Sequence, residues 1–145
     1  MAKKIRVMKI AIINGPNLNL IGSRETDIYG GETFEHYFDK LRKKFETIDF
    51  DYFQSNVEGE LVNEIQSAAK KMDGIILNAG AYTHTSIAIG DAIAAIKIPV
   101  VEVHISNIEA REEFRKYSHI SSKCAGTIFG FGLKGYLLAV ESFLN

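Results

Sequence analysis

Short apolar runs alternate with stretches of helical periodicity along the whole chain, and this alternation restricts the possible folds more than any other feature. Ile10 to Ile13, Ile48 to Phe53, Gly74 to Leu77, Val100 to His104 and Gly126 to Phe129 each read as a strand. Between the first two, Phe34, Phe38, Leu41 and Phe45 recur at spacings of four, three and four, the pattern of an amphipathic helix. Leu61, Val62, Ile65, Ala68, Ala69 and Met72 mark a second helix, stopped near Gly74. A helix of small residues is predicted from Ser86 to Ile96, and a last one carries Leu133, Tyr136, Leu137, Val140, Phe143 and Leu144.

Five βα units in succession predict an α/β fold, a doubly wound five-stranded parallel sheet with helices on both faces. Right-handed crossovers leave few topologies, and the flavodoxin-like order 2-1-3-4-5 leads among them. At 145 residues, with no repeat, low-complexity tract or linker, the chain is expected to form a single domain over residues 1–145. In such sheets ligands bind beyond the carboxyl ends of the strands, where the winding reverses. The loops after strands one, three and four hold most of the unusual polar residues: Asn17, Arg24 and Tyr29; Asn78 and His84; His104, Ser106 and Asn107. The predicted order makes those three strands neighbours, so the three clusters meet at one sheet edge.

The first of these loops runs from Asn14 to Gly31, although strand-to-helix loops usually take about 2–6 residues. Two readings stand open. It is either a mobile surface segment or a lid whose glycines let Arg24 and Tyr29 close on a ligand. Asn14-Gly15-Pro16-Asn17 lacks the spacing of the known phosphate-binding loops.

A net charge of −1 gives no reason to expect nucleic acid or an anionic membrane as a partner. The one cysteine, Cys124, cannot form an intrachain disulfide and suits a reducing compartment. Arg6 and Lys9 interrupt the N-terminal apolar run, no cleavage pattern follows, and no stretch is long and apolar enough to span a bilayer. A soluble cytoplasmic protein is expected.

Glu102 and His104 lie two apart on a strand and share a face. A metal site needs about three or four ligands, and His36, His84 and His119 show no ligand spacing. The pair reads instead as an acid, Glu102 orienting His104 and favouring its protonated form. The alternative is a strand-end histidine bonded to neighbouring backbone. Tyr29 is a poor base at an ordinary value near 10, but a guanidinium nearby favours the phenolate, and Arg24 stands five residues before it. Its other reading is an apolar latch. Arg111 and Arg115, four apart on an expected short helix, share a face and read as a solvated pair or an anion clamp, the former when taken alone. An acid, a base, arginines and amides suit proton abstraction and loss of water from a small polar anion. The competing class is a binding module holding a flavin or nucleotide without turnover.

Asn14-Gly15-Pro16-Asn17-Leu18-Asn19, Arg24-Glu25, Tyr29-Gly30, Asn78 through Ser86 and Glu102 through Asn107, with Arg111, Arg115, Gly130-Phe131-Gly132 and Gly135-Tyr136, closely resemble type II 3-dehydroquinate dehydratases across nearly the whole chain. The resemblance implies a flavodoxin-like subunit in a dodecamer of four trimers, with no metal or cofactor. It implies reversible trans-dehydration of 3-dehydroquinate to 3-dehydroshikimate through an enolate, a reaction used in both shikimate biosynthesis and quinate breakdown. By position, Tyr29 is the base that removes the C2 proton, Arg24 lowers its pKa, and Asn17 helps hold a water at the enolate oxygen. His104, oriented by Glu102, protonates the departing hydroxyl. Asn78, His84, Arg115 and the backbone at Ile105 and Ser106 bind substrate, with Arg111 a supporting charge near the tyrosine.

The resemblance also places Asp91 across a trimer interface, reaching a neighbour's substrate. The helix from Ser86 to Ile96 carries only that charge and is apolar all round, which predicts burial on more than one side. The other reading of Asp91 is a local cap or ion pair. The family often has proline where this chain has Thr26 and Ala79.

Overall fold

The computed structural model describes residues 5–23 and 31–144. Strands β1 (Met8–Asn14), β2 (Ile48–Gln54), β3 (Gly74–Asn78), β4 (Val100–His104) and β5 (Gly126–Phe129) form one sheet in the order β2-β1-β3-β4-β5. Every described pairing is parallel. The helices are α1 (Phe34–Lys44), α2 (Glu58–Lys71), α3 (Ile87–Ala95) and α4 (Lys134–Ser142). This is the flavodoxin-like order expected from the alternation of elements.

Alternation along the strands divides the core in two. Ile10, Ile12, Ile76, Val101 and Val103 pack with Phe34 and Leu41 of α1 and with Tyr136, Ala139 and Val140 of α4. Ala11, Ile13, Ile75, Leu77 and Val100 face the other way, against Leu61, Ile65 and Ala68 of α2 and Ile89, Ala92 and Ile93 of α3. With both faces covered, the central strands are mostly apolar, as in buried parallel sheets, and the exceptions in β4 are Glu102 and His104. Each fully buried Ile or Leu contributes about 1.5–3 kcal/mol.

The helix starts are written locally. The Thr33 side chain accepts from His36 N at 3.2 Å to cap α1, and Ser86 accepts from Ile89 N at 2.9 Å to cap α3. Such caps are each worth about 1 kcal/mol. Glu58 and Glu60 open α2 while Lys70 and Lys71 close it, complementing the helix dipole.

The expected short helix from Arg111 to Arg115 is not formed. Two 3₁₀ turns, Ile108–Ala110 and Glu113–Lys116, occupy that stretch instead. Arg111 and Glu112 between them are extended, with ψ −166° and 150°, which interrupts the helical hydrogen bonds. The Asn107 side chain accepts from Glu109 N at 3.1 Å and starts the first turn.

Candidate active site

The loops after β1, β3 and β4 surround a cleft of about 730 Å³, counted to its open mouth, lined by Asn17, Asn78, His84, His104, Ser106, Arg111 and Arg115. A groove of about 800 Å³ beside β5, lined by Pro99, Val101, Ala125, Gly126, Thr127, Ile128, Ser142 and Phe143, has no titratable side chain. Acid–base chemistry therefore falls to the first, at the carboxyl edge of the sheet.

Close backbone contact brings the first two loops together. Gly15 N donates to Asn78 O at 2.7 Å. A Cβ at Gly15 would stand 2.5 Å from Ala79 O, and Gly80, at φ +59°, would carry one 3.1 Å from Pro16 O. Only glycine permits both approaches. Asn17 has a left-handed backbone, φ 68°, a conformation that asparagine tolerates better than most residues. The loop after β2 holds it there. Asn56 Oδ1 accepts from Asn17 N at 3.0 Å, and Gln54 Nε2 donates to Gly15 O and to Asn56 Oδ1, both at 3.1 Å.

On the α1/α4 face, the strand ends place Asn14 beside Asn78. Asn78 Nδ2 donates to the Tyr136 hydroxyl at 3.0 Å, and that hydroxyl donates to Asn14 Oδ1 at 2.7 Å. The Asn78 Oδ1 accepts from Gly80 N at 3.1 Å, so the amide is fixed at both ends. Tyr136 is completely buried, and burial pushes its phenol far up from 10.0, against the lowering by its asparagine bonds. It serves as a neutral hydroxyl.

The opposite face carries the acid pair. His104 Nε2 donates to Glu102 Oε2 at 2.5 Å, and Ser121 Oγ donates to Glu102 Oε1 at 2.6 Å. Glu102 is wholly buried and His104 nearly so. Both carboxylate oxygens are thus bonded, as burial of a charge requires. With Nε2 engaged, Nδ1 is the His104 nitrogen left for the cleft.

His84 stands next to it, the ring centroids 6.2 Å apart. Its Nδ1 donates to Tyr117 O at 2.7 Å, leaving Nε2 as an acceptor. Desolvation first, then His104 and Arg115, lower its pKa below 6.5, against the raising by that carbonyl. It is neutral at ordinary pH, suited to accept from a hydroxyl. Arg115 Nε donates to Glu112 Oε2 at 2.6 Å, and Arg111 Nη1 donates to Ser106 Oγ at 3.5 Å. Their side chains are only 22% and 19% exposed. The solvated reading of this pair is therefore corrected. Across the extended break between the turns both line the cleft, with the Glu112 carboxylate 2.6 Å from Arg115 Nε and 3.9 Å from Arg111 Nε.

A family model described as dehydroquinase class II matches residues 8–144. The chain belongs to this family. A protein of Fusobacterium nucleatum named 3-dehydroquinate dehydratase is 58% identical over 138 residues, covering 92% of this chain and 94% of its own. Another of that name from Prochlorococcus marinus is 52% identical over 140 residues, 95% of this chain and 96% of its own. A crystal structure of a type II dehydroquinase from Butyrivibrio crossotus superposes with a TM-score of 0.92 at 46% identity, covering 95% of this chain and 98% of that one.

In this class II dehydroquinase the structure brings together Asn17, Asn78, His84, Glu102, His104, Ile105, Ser106 and Arg115. Asp91 is not with them. It lies on the exposed outer face of α3 with Ile87 and Ala88, away from its own chain's cleft. Arg24 and Tyr29 lie outside the described residues. The departure at Ala79 leaves the backbone unchanged in kind, since its φ of −75° is one that proline would impose. Ser121, Tyr136 and Asn56 were not found as site residues from sequence. Tyr136 carried one signal: a tyrosine on an otherwise apolar helix stripe needs a partner for its hydroxyl. Ser121 and Asn56 carried none.

Proposed function

We propose that this chain is a type II 3-dehydroquinate dehydratase, acting by proton abstraction, enolate formation and loss of water. The observation that carries the reading is the buried Glu102–His104 pair beside Arg111 and Arg115, in a chain matched to the family over residues 8–144. The substrate is a β-hydroxy ketone bearing a carboxylate. Tyr29, with Arg24 favouring its phenolate, takes the C2 proton, and the electron pair moves to the carbonyl oxygen. Asn17 helps hold a water at that enolate oxygen. The carbonyl then re-forms, the C1–O bond breaks, and His104 gives a proton to the departing hydroxyl, releasing water. Proton exchange with solvent resets both groups. Asn78, His84 and the backbone at Ile105 and Ser106 orient the hydroxyls and carboxylate, and Arg115 neutralises the carboxylate. No step calls on a metal or cofactor.

The same reading makes the enzyme a cytoplasmic homo-dodecamer of four trimers, in which Asp91 reaches a neighbour's substrate. The outer face of α3, with Ile87, Ala88, Asp91 and Ala94 exposed, supports a second copy there, because an apolar helix face is otherwise left in water.

The test is the ultraviolet absorbance of the conjugated product when 3-dehydroquinate is added to purified, metal-free protein. Tyr29→Phe should bind substrate yet abolish both turnover and solvent-deuterium exchange at C2. Exchange at the wild-type rate in that variant removes Tyr29 from the role. Absence of product from folded wild-type protein, with thermal stabilisation by flavin mononucleotide, would favour a binding module.

A further inference from the structure

We infer that Ser121 is a positioning residue for the general acid, fixing the Glu102 carboxylate so that His104 points its free nitrogen into the cleft. The inference rests on the dehydratase reading above and adds a residue to it. Glu102 has no exposed surface, and its two oxygens are bonded to two groups: Oε2 to His104 Nε2 at 2.5 Å, Oε1 to Ser121 Oγ at 2.6 Å. An ionised carboxylate is an acceptor only, so the serine hydroxyl is the donor. With one oxygen held by the serine, the carboxylate plane cannot turn about its Cγ–Cδ bond. The second oxygen then meets the imidazole at a set angle, and this sets the direction of Nδ1. Positioning within about 0.5 Å and 10–20° is what such chemistry requires.

Ser121 is itself held at several points. Its N–H donates to Ser118 Oγ at 3.0 Å, and the same oxygen accepts from Ile120 N at 3.1 Å. Ile120 is fully buried among Ile89, Ala92 and Ile93. His119 N donates to Thr83 O at 2.9 Å, and Ala125 N to Val100 O at 2.8 Å, tying the segment to the β3 loop and to β4 on either side. The hydroxyl therefore reaches Glu102 from a rigid support rather than a free loop. Glu102 and Ser121 are 19 residues apart, so only the fold creates the contact.

The test separates acid catalysis from folding and from base catalysis. Dehydration and C2 exchange in deuterium oxide are measured for wild type, Ser121→Ala and Ser121→Thr. A positioned general acid is worth roughly 10²–10⁴-fold, and losing its support while keeping the acid should forfeit about 10–100-fold of that. Ser121→Ala should lose dehydration by roughly that factor in kcat, while KM and the C2 exchange rate stay within about threefold. Ser121→Thr, which keeps the donor oxygen, should return the ratio of exchange to dehydration to within about threefold of wild type. Dehydration by Ser121→Ala within twofold of wild type overturns the inference. So does a parallel fall of exchange and dehydration in both variants, which marks a general structural loss. Should folded wild type exchange and dehydrate nothing at all, the dehydratase reading itself fails, a result distinct from either.

Discussion

Replacing Tyr136 by Phe removes one oxygen and leaves everything else about the residue in place. The ring still fills its fully buried position and keeps its edge contact with Phe34, 4.9 Å between centroids. The hydrophobic contribution is therefore nearly unchanged, and the measured loss reports on the hydroxyl alone. That hydroxyl accepts from Asn78 Nδ2 at 3.0 Å and donates to Asn14 Oδ1 at 2.7 Å. Its removal leaves a donor and an acceptor without their partner. Asn14 is completely enclosed and bears the full desolvation cost, whereas Asn78 borders the cleft, where water replaces part of the lost bond. An unsatisfied buried group costs about 1–3 kcal/mol, so the pair should lose roughly 2–4 kcal/mol. For a chain of this size that lowers Tm by on the order of 5–15 °C. Tyr52→Phe is the control. Its hydroxyl meets Asn14 Nδ2 at 3.5 Å, the outer limit of a hydrogen bond, and its loss should cost less than about 1 kcal/mol. Denaturant or thermal unfolding at matched protein concentration measures both. With Asn78 released, KM for dehydroquinate should also rise in Tyr136→Phe. A stability loss under about 1 kcal/mol in Tyr136→Phe, or one equal to that of Tyr52→Phe, refutes the view that this hydroxyl holds the two asparagines.

Three further outcomes are expected. The His84 pKa is lowered in the folded state, mainly by desolvation, so the unfolded chain binds the proton first as pH falls through 6.5. The contribution of His84 to stability is thus present above 6.5, declines as pH drops toward the folded value and levels off below it; KM should rise over the same acid range, and His84→Gln should flatten that rise. Cys124 is pushed up to about 12 from 9.0, chiefly by burial and secondarily by Glu102, so its thiolate is depleted about a thousandfold near pH 8; rapid native labelling by a maleimide would contradict this. Asp91→Ala and Tyr29→Phe should each be inactive, yet regain activity when unfolded and reassembled together; confirmed mixed trimers without activity would assign Asp91 to its own subunit.

The order of strands was legible because each element announces itself over a few residues. Ile10 to Ile13 and Ile75 to Leu77 are apolar on both faces, and the helices between the strands repeat at 3.6 residues. Once the order is known, the edge where the loops after β1, β3 and β4 meet follows from topology alone. Glu102 and His104 were legible for the same reason: two residues apart on a strand share a face whatever the rest of the chain does. Arg111 and Arg115 were not, because a spacing of four implies a common face only on a helix. Here the extended backbone of Arg111 and Glu112 brings both to the cleft by another route. Ser121 lies 19 residues from Glu102, Tyr136 lies 58 from Asn78, and Asn56 lies 39 from Asn17. Tyr136 signals locally that its hydroxyl needs a partner but not which one, and nothing local marks the serine or the asparagine at all. The need for a partner arises only when packing removes water from Glu102, Asn14 and Asn78. The sequence by itself determined the order of the strands and the edge at which the polar loops gather. Which neighbours hold them there was decided by burial in the tertiary structure, because only there does an unmet hydrogen bond carry a cost.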